Sequence, residues 1–178
     1  MGEMLDAAKG IYAELKNLCV WNKDNAGMGS LYRSKHELVF VFKSGTAPHV
    51  HHVALGAKGR YRTNVWDYPG VNSFGGQAAL EMHPTVKPVA PIADATRDCS
   101  NRGAVVLDPF GDSGSTLIAA ERTGRKARLI EIDARYADTI VRRWQDLTGG
   151  DAVDAMSGQT FAQAEAAKDV PASGPKDV

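Results

Sequence analysis

Apolar positions fall into a few strong runs separated by glycine- and proline-rich stretches. Leu5, Ala8, Ile11, Tyr12 and Leu15 lie at roughly helical spacing and predict a helix over 4–17. Leu18-Cys19-Val20-Trp21 reads as a short buried strand. Leu38-Val39-Phe40-Val41-Phe42 is continuous rather than alternating, which predicts a strand buried on both faces and ended at Gly45. Pro88 prepares a helix over 89–99, with Pro91 tolerated in its first turn. Gly103 precedes a strand over Ala104–Leu107, and Ser115–Thr123 reads as a helix stopped by Gly124. Ala127–Ile130 is a second such strand, ending at Glu131. Asp133 then N-caps a long helix, whose apolar face is Tyr136, Ala137, Ile140, Val141, Trp144 and Leu147 and whose end is Gly149-Gly150.

Two stretches break this rhythm. Residues 44–80 keep no period and are rich in Gly, Asn, His, Tyr and Trp, too long for an ordinary connector and expected to be a functional loop or insertion. Residues 151–178 hold few large apolar residues and are expected to be a disordered tail, with at most a frayed helix over 155–167. The organised part is therefore 1–150. A chain of 178 residues is one domain, or one domain and a tail. Lys and Arg together number 21, as do Asp and Glu, so any basic surface is local. No apolar run is long enough to cross a bilayer, so no membrane partner is expected. The first residues lack the basic and apolar regions of a signal peptide, and Cys19 and Cys99 read as reduced thiols. A cytoplasmic protein is the expectation.

The candidate chemistry centres on Val105–Leu117. An apolar strand ends at Asp108, a turn rich in Gly and Ser follows, and a helix begins. Backbone N–H groups and a helix N-terminus meet there beside a carboxylate. Glu131 ends the next strand about 20 residues on, the spacing of the acid that binds ribose hydroxyls in nucleotide-binding units. The alternative is that both acids merely cap strand ends. Lys58, Arg60, Arg62, Trp66 and Tyr68 mix cations and aromatics in the way nucleic acids favour, or form an ordinary solvated loop. His49, His51 and His52 lack a cysteine or carboxylate companion, so no metal site is assigned. Neither His36 nor His83 is given a catalytic role.

Leu107-Asp108-Pro109-Phe110-Gly111-Asp112-Ser113-Gly114-Ser115-Thr116 resembles the AdoMet-binding motif D-P-F-x-G-S-G-[ST]-T of the amino-group DNA methyltransferases, the N6-adenine/N4-cytosine family. Leu117–Glu121 matches the L-I-A-A-E that follows it. His83-Pro84-Thr85-Val86-Lys87-Pro88 is similar to the family's second AdoMet motif, H-P-T-x-K-P, in the β-class order. Glu131–Tyr136 resembles its E-x-x-P-x-Y, and 21–29 and 32–37 also look like stretches of these proteins. The resemblance covers about 15–150. It implies a Rossmann-like α/β AdoMet-dependent methyltransferase sheet with helices on both faces. It also implies that Asp108, Pro109, Phe110, Gly111, Ser113, Gly114 and Thr116 form the S-adenosyl-L-methionine turn. Glu131 would then bind the ribose, and Thr85 and Lys87 the methionine end. Residues 44–80 would be the target-recognition segment, with Lys58, Arg60, Arg62, Trp66 and Tyr68 on double-stranded DNA.

Two departures qualify this. Asp112 stands where the family has a glycine, adding a carboxylate and a Cβ where positive φ is needed. The larger departure concerns the catalytic motif D-P-P-Y, which binds the target amine and stacks on the flipped base. No Pro-Pro pair occurs in the sequence, so no catalytic residue is assigned. The sheet is expected to lack its central strand, and the chain to be the C-terminal part of such an enzyme, inactive alone. The leading function is site-specific DNA methylation, adenine-N6 favoured, as in restriction-modification. A fragment carrying D-P-P-Y would be the partner. The alternatives are a non-catalytic remnant or split-enzyme subunit, and an unrelated nucleotide-binding protein.

Overall fold

A computed structural model describes residues 1–29, 31–53, 62–70 and 86–168. Helix α1 (Gly2–Ala8) is followed by strand β1 (Glu14–Asn22) and strand β2 (His36–Lys43). The helix expected over 4–17 stops early. Gly10 adopts φ 75, which ends the helical path, and the chain from Glu14 pairs with β2 instead. Pairing is antiparallel from Glu14 opposite Lys43 to Asn22 opposite His36, with a bulge between Leu15 and Asn17. Tyr12, expected on a helix, stacks on Phe42 with ring centroids 5.0 Å apart. A third strand, β3 (Val65–Asp67), lies in the stretch read as irregular and joins β1 in parallel, placing Trp66 opposite Trp21.

The second half follows the sequence pattern closely. Helix α2 (Val89–Cys99), strand β4 (Val105–Asp108), helix α3 (Ser115–Thr123), strand β5 (Lys126–Leu129) and helix α4 (Ala134–Thr148) come in the expected order. Strands β4 and β5 are parallel. The crossover between them is α3, which packs against α2, α4 and β5 and buries Ile118, Ala119 and Ala120. Gly124 ends α3 in the left-handed region at φ 70, its N–H reaching the Ala120 and Glu121 carbonyls. Where a disordered tail was expected from 151, an isolated bridge pairs Val153 with Thr160, and helix α5 (Phe161–Lys168) follows. Phe161 lies under Arg142 of α4, 5.1 Å from ring centroid to guanidinium. Residues 169–178 lie outside the described part.

The strands form two sheets, β2-β1-β3 and β4-β5, which share no hydrogen-bonded strand pair among the described residues. β2 is thus an edge strand, partly covered along most of its length rather than buried on both faces. On β4, Val106 is half-buried, whereas Val105 and Leu107 are 61% and 66% exposed. Contacts between the two halves run through Lys87–Glu37, through Arg62 and Tyr68 to α2, and through His52, whose N–H binds the Asp98 carbonyl. No helix of the described residues is long and apolar enough to cross a membrane.

Candidate functional site

The turn between β4 and α3 is closed by its own side chains. Asp108, the last residue of β4, accepts the Phe110 N–H at one oxygen (3.0 Å) and the Thr116 hydroxyl at the other (2.6 Å). Its carboxylate is therefore fixed in direction by neutral donors, and no cation pairs with it among the described residues. Gly111 donates to the Ile130 carbonyl and Gly114 to the Gly111 carbonyl, both at 2.8 Å. Gly114 sits at φ 77, and a Cβ there would lie 3.0 Å from Ile140 Cγ2. A Cβ on Gly111 would meet Ile140 Cδ1 at 2.9 Å. At Gly114 the positive φ and the close Ile140 side chain both disfavour a side chain, whereas at Gly111 a Cβ would require the Ile140 terminal methyl to move aside. Asp112 adopts φ 54, the one described residue other than glycine in the left-handed region, which answers to the expectation from its place in the motif. The hydroxyl of Ser113, nearly fully buried, pairs with that of Ser115.

Glu131, just beyond β5, faces this turn. One of its oxygens accepts the Asp112 N–H at 2.8 Å and the other the Asp133 N–H at 2.9 Å. These amides hold its carboxyl below the usual carboxylate range. A carboxylate offers about four lone-pair positions, so the backbone donors leave acceptor capacity on Glu131 unfilled. Phe110 and Ile132, on either side, are 82% and 100% exposed and offer apolar surface beside that acid. Pro109 is exposed between Asp108 and Phe110.

Two further residues support the turn from outside its motif. Arg143 of α4 is half-buried and donates to the Ser113 carbonyl (3.0 Å) and the Ser115 hydroxyl (3.1 Å), tying the turn down from beneath. Burial lowers its pKa, with Arg122 repulsion adding to the effect. The signal was a cation three residues after Ile140, on the apolar face of the helix. The Ser115 hydroxyl in turn binds the Lys87 carbonyl at 2.6 Å, so the second loop is fastened to the first residue of α3. Lys87 thereby comes to the turn; Thr85 and His83 lie outside the described residues.

The other candidates sit on α2. Arg62 places Nε 2.6 Å from Asp98 and one Nη 3.3 Å from Asp94. Tyr68 accepts from that Nη (3.0 Å) and donates to Asp94 (2.6 Å), while Trp66 lies under the guanidinium at 5.3 Å. Burial and the Asp94 hydrogen bond push the Tyr68 hydroxyl up. Arg62 and Tyr68 thus lock 62–70 onto α2. Lys58 and Arg60 lie outside the described residues. The His52 ring pairs with Asn101 at 2.9 Å, and no group of three potential metal ligands occurs among the described residues.

A parallel strand pair crossed over by a helix, a glycine turn under that helix's N-terminus and an acid after the second strand define a Rossmann-like α/β ligand site. A family model described as DNA methylase, of the N6/N4 methyltransferase type, matches residues 1–142, and the chain belongs to that family. The DNA adenine methyltransferase YhdJ of Escherichia coli (strain K12) is 36% identical over 110 residues, which are 62% of this chain and 34% of YhdJ. The solved cytosine-N4-specific PvuII DNA methyltransferase superposes with a TM-score of 0.63 at 20% identity, over 80% of this chain and 54% of that one. A putative DNA modification methylase of Thermus thermophilus, solved with S-adenosyl-L-methionine, superposes with a TM-score of 0.57 at 26% identity, over 77% of this chain and 55% of that one. The chain thus spans well under two thirds of the length of each of these relatives.

Proposed function

We propose that this chain is the cofactor-binding part of a site-specific DNA methyltransferase acting on an exocyclic amine, adenine-N6 in preference to cytosine-N4. The observation that carries the reading is the formed turn from Asp108 to Thr116 with Glu131 closing it from the side. S-adenosyl-L-methionine presents an ammonium, a carboxylate, a sulfonium, a ribose diol and an adenine. The residues fit each of these. Asp108 faces the positive end, with no competing cation among the described residues. Gly111 and Gly114 leave the backbone bare for close approach, and the first turn of α3 offers N–H groups to a carboxylate. Glu131 keeps lone pairs for the ribose, Phe110 and Ile132 flank the adenine, and Lys87 and Thr85 complete the methionine end. Bound there, the cofactor supplies an electrophilic methyl group on sulfur. The preference for adenine rests on YhdJ, an adenine methyltransferase by name and the more similar in sequence.

The segment around 62–70 meets double-stranded DNA in this reading, held on α2 by Arg62 and Tyr68, with Trp66 and the neighbouring Lys58 and Arg60 as candidate contacts. The amine-binding motif D-P-P-Y is supplied by polypeptide outside these 178 residues, whether joined to residue 1 or carried by a separate chain. The lack of a Pro-Pro pair in the sequence favours this over independent catalysis. Labelled methyl transfer to DNA tests it. The chain alone is expected to transfer none, and addition of a family segment bearing D-P-P-Y restores transfer. Transfer by the chain alone would show that the missing motif is dispensable. S-adenosylhomocysteine that fails to bind would return the site to an unrelated nucleotide.

A further inference from the structure

Lys23, Glu37 and Lys87 come from three separate stretches of sequence and meet at one carboxylate. Lys23 follows β1 directly, Glu37 is the second residue of β2, and Lys87 precedes α2. Lys23 Nζ lies 2.6 Å from Glu37 Oε1, whereas Lys87 Nζ lies 3.2 Å from Oε2 and 3.5 Å from Oε1. The Lys23 ammonium also sits 5.0 Å from the centre of the Trp21 ring, which fixes it from the other side. Burial opposes the charge on Glu37, but the Lys23 hydrogen bond and the Lys87 ammonium hold its carboxyl below the usual range.

Lys87 is thus secured at both ends, its carbonyl by Ser115 and its ammonium by Glu37. We propose that Glu37 is a positioning residue, which aims Lys87 at the carboxylate of a bound methionine moiety while Lys23 neutralises Glu37. The inference rests on the cofactor reading above and names what that reading leaves open. A half-exposed lysine without a partner samples many rotamers, and a ligand must order it at a cost in entropy. Glu37 removes part of that cost in advance. Glu37 on its own would also cancel the Lys87 charge and repel the ligand's carboxylate. The shorter Lys23 contact takes the larger share of Glu37, so the trio keeps one net positive charge, and Lys87 keeps donors for the ligand.

Calorimetry on the full chain tests this with two ligands. S-adenosylhomocysteine carries the amino-acid end, whereas 5′-methylthioadenosine keeps the nucleoside and lacks it. Glu37→Gln, nearly isosteric, is expected to weaken S-adenosylhomocysteine about 3- to 10-fold and to leave 5′-methylthioadenosine within about twofold. In a Lys87→Met background the same change should do nothing further. Lys23→Met should weaken S-adenosylhomocysteine as well, because Glu37 then closes on Lys87. Unchanged or tighter binding by Glu37→Gln overturns the proposal, and so does an equal loss for both ligands, which would mark a structural role. If Lys87→Met leaves S-adenosylhomocysteine unaffected, the role of Lys87 fails and this proposal with it. If neither nucleoside binds the unaltered chain, the cofactor reading itself has failed.

Discussion

Asp112 carries a side chain at φ 54, a conformation glycine adopts without steric cost. Aspartate tolerates the left-handed region better than most residues, so the turn forms around it. Its backbone N–H is also used, on Glu131. If the methionine end binds at this turn as proposed, the cost falls on the ligand, because the turn then carries a second carboxylate near the ligand's own. We expect Asp112→Gly to tighten S-adenosylhomocysteine about 3- to 5-fold, the effect of removing roughly 1 kcal/mol of like-charge repulsion near solvent. Stability should shift by no more than about 1 kcal/mol, since relief of the φ strain is offset by the freer unfolded chain. Calorimetry and thermal melting check the two parts separately; weaker binding by the glycine variant would show that the aspartate helps to hold the ligand. The motif made this residue legible in the sequence. Arg143 left only the trace of a cation on an apolar helix face, and Glu37 left none, since each acts through partners far away in the chain.

At the scale of elements, those with local signals were legible. Helix α4 begins at Asp133, whose carboxylate accepts the Arg135 N–H at 2.9 Å, and ends at Gly149 with φ 68. Helix α3 lies between Gly114 and Gly124, both left-handed. Elements made by distant pairing were not. The first half of β1, with Glu14, Lys16 and Asn17, is polar and takes its form from β2. The three residues of β3 are a strand only because β1 lies beside them. The cap on α4 gives a dependence on acidity. The Arg135 side chain and then the Arg135 amide bring the Asp133 pKa from 3.8 to about 2. A lowered carboxylate stabilises the fold fully above its unfolded value and loses that contribution as pH falls through the folded value. The cap should therefore persist below pH 3.8 and fail near pH 2, followed by the Arg135 amide resonance in an NMR titration. A midpoint at the ordinary aspartate value would show that the cap does not form in solution.

At the scale of the molecule, apolar surface gathers at the free strands. Val105 and Leu107 stand exposed on β4, and β4 has no second neighbour among the described residues. Beside β2, residues including Met4, Ala8, Tyr12, Leu38 and Phe40 line an open apolar groove of about 360 Å³. Exposed strand faces and edges of this kind are costly and prone to association. The chain alone is expected to enhance the fluorescence of an apolar dye such as ANS at neutral pH, and the D-P-P-Y segment that restores methylation should lower that signal as it binds. An unchanged signal on restoration would place the segment elsewhere on the surface.

Glu131 holds the amide of the turn with one oxygen and the amide of the α4 cap with the other. The turn after β4 and the start of α4 are thereby tied together when the protein folds. Ordering a backbone residue costs about 1–2 kcal/mol, and here that entropy is lost during folding rather than at association. In the proposed complex a nucleoside arriving at Glu131 would meet a surface already set, and the free energy of its contacts would go into affinity instead of into arranging the loops.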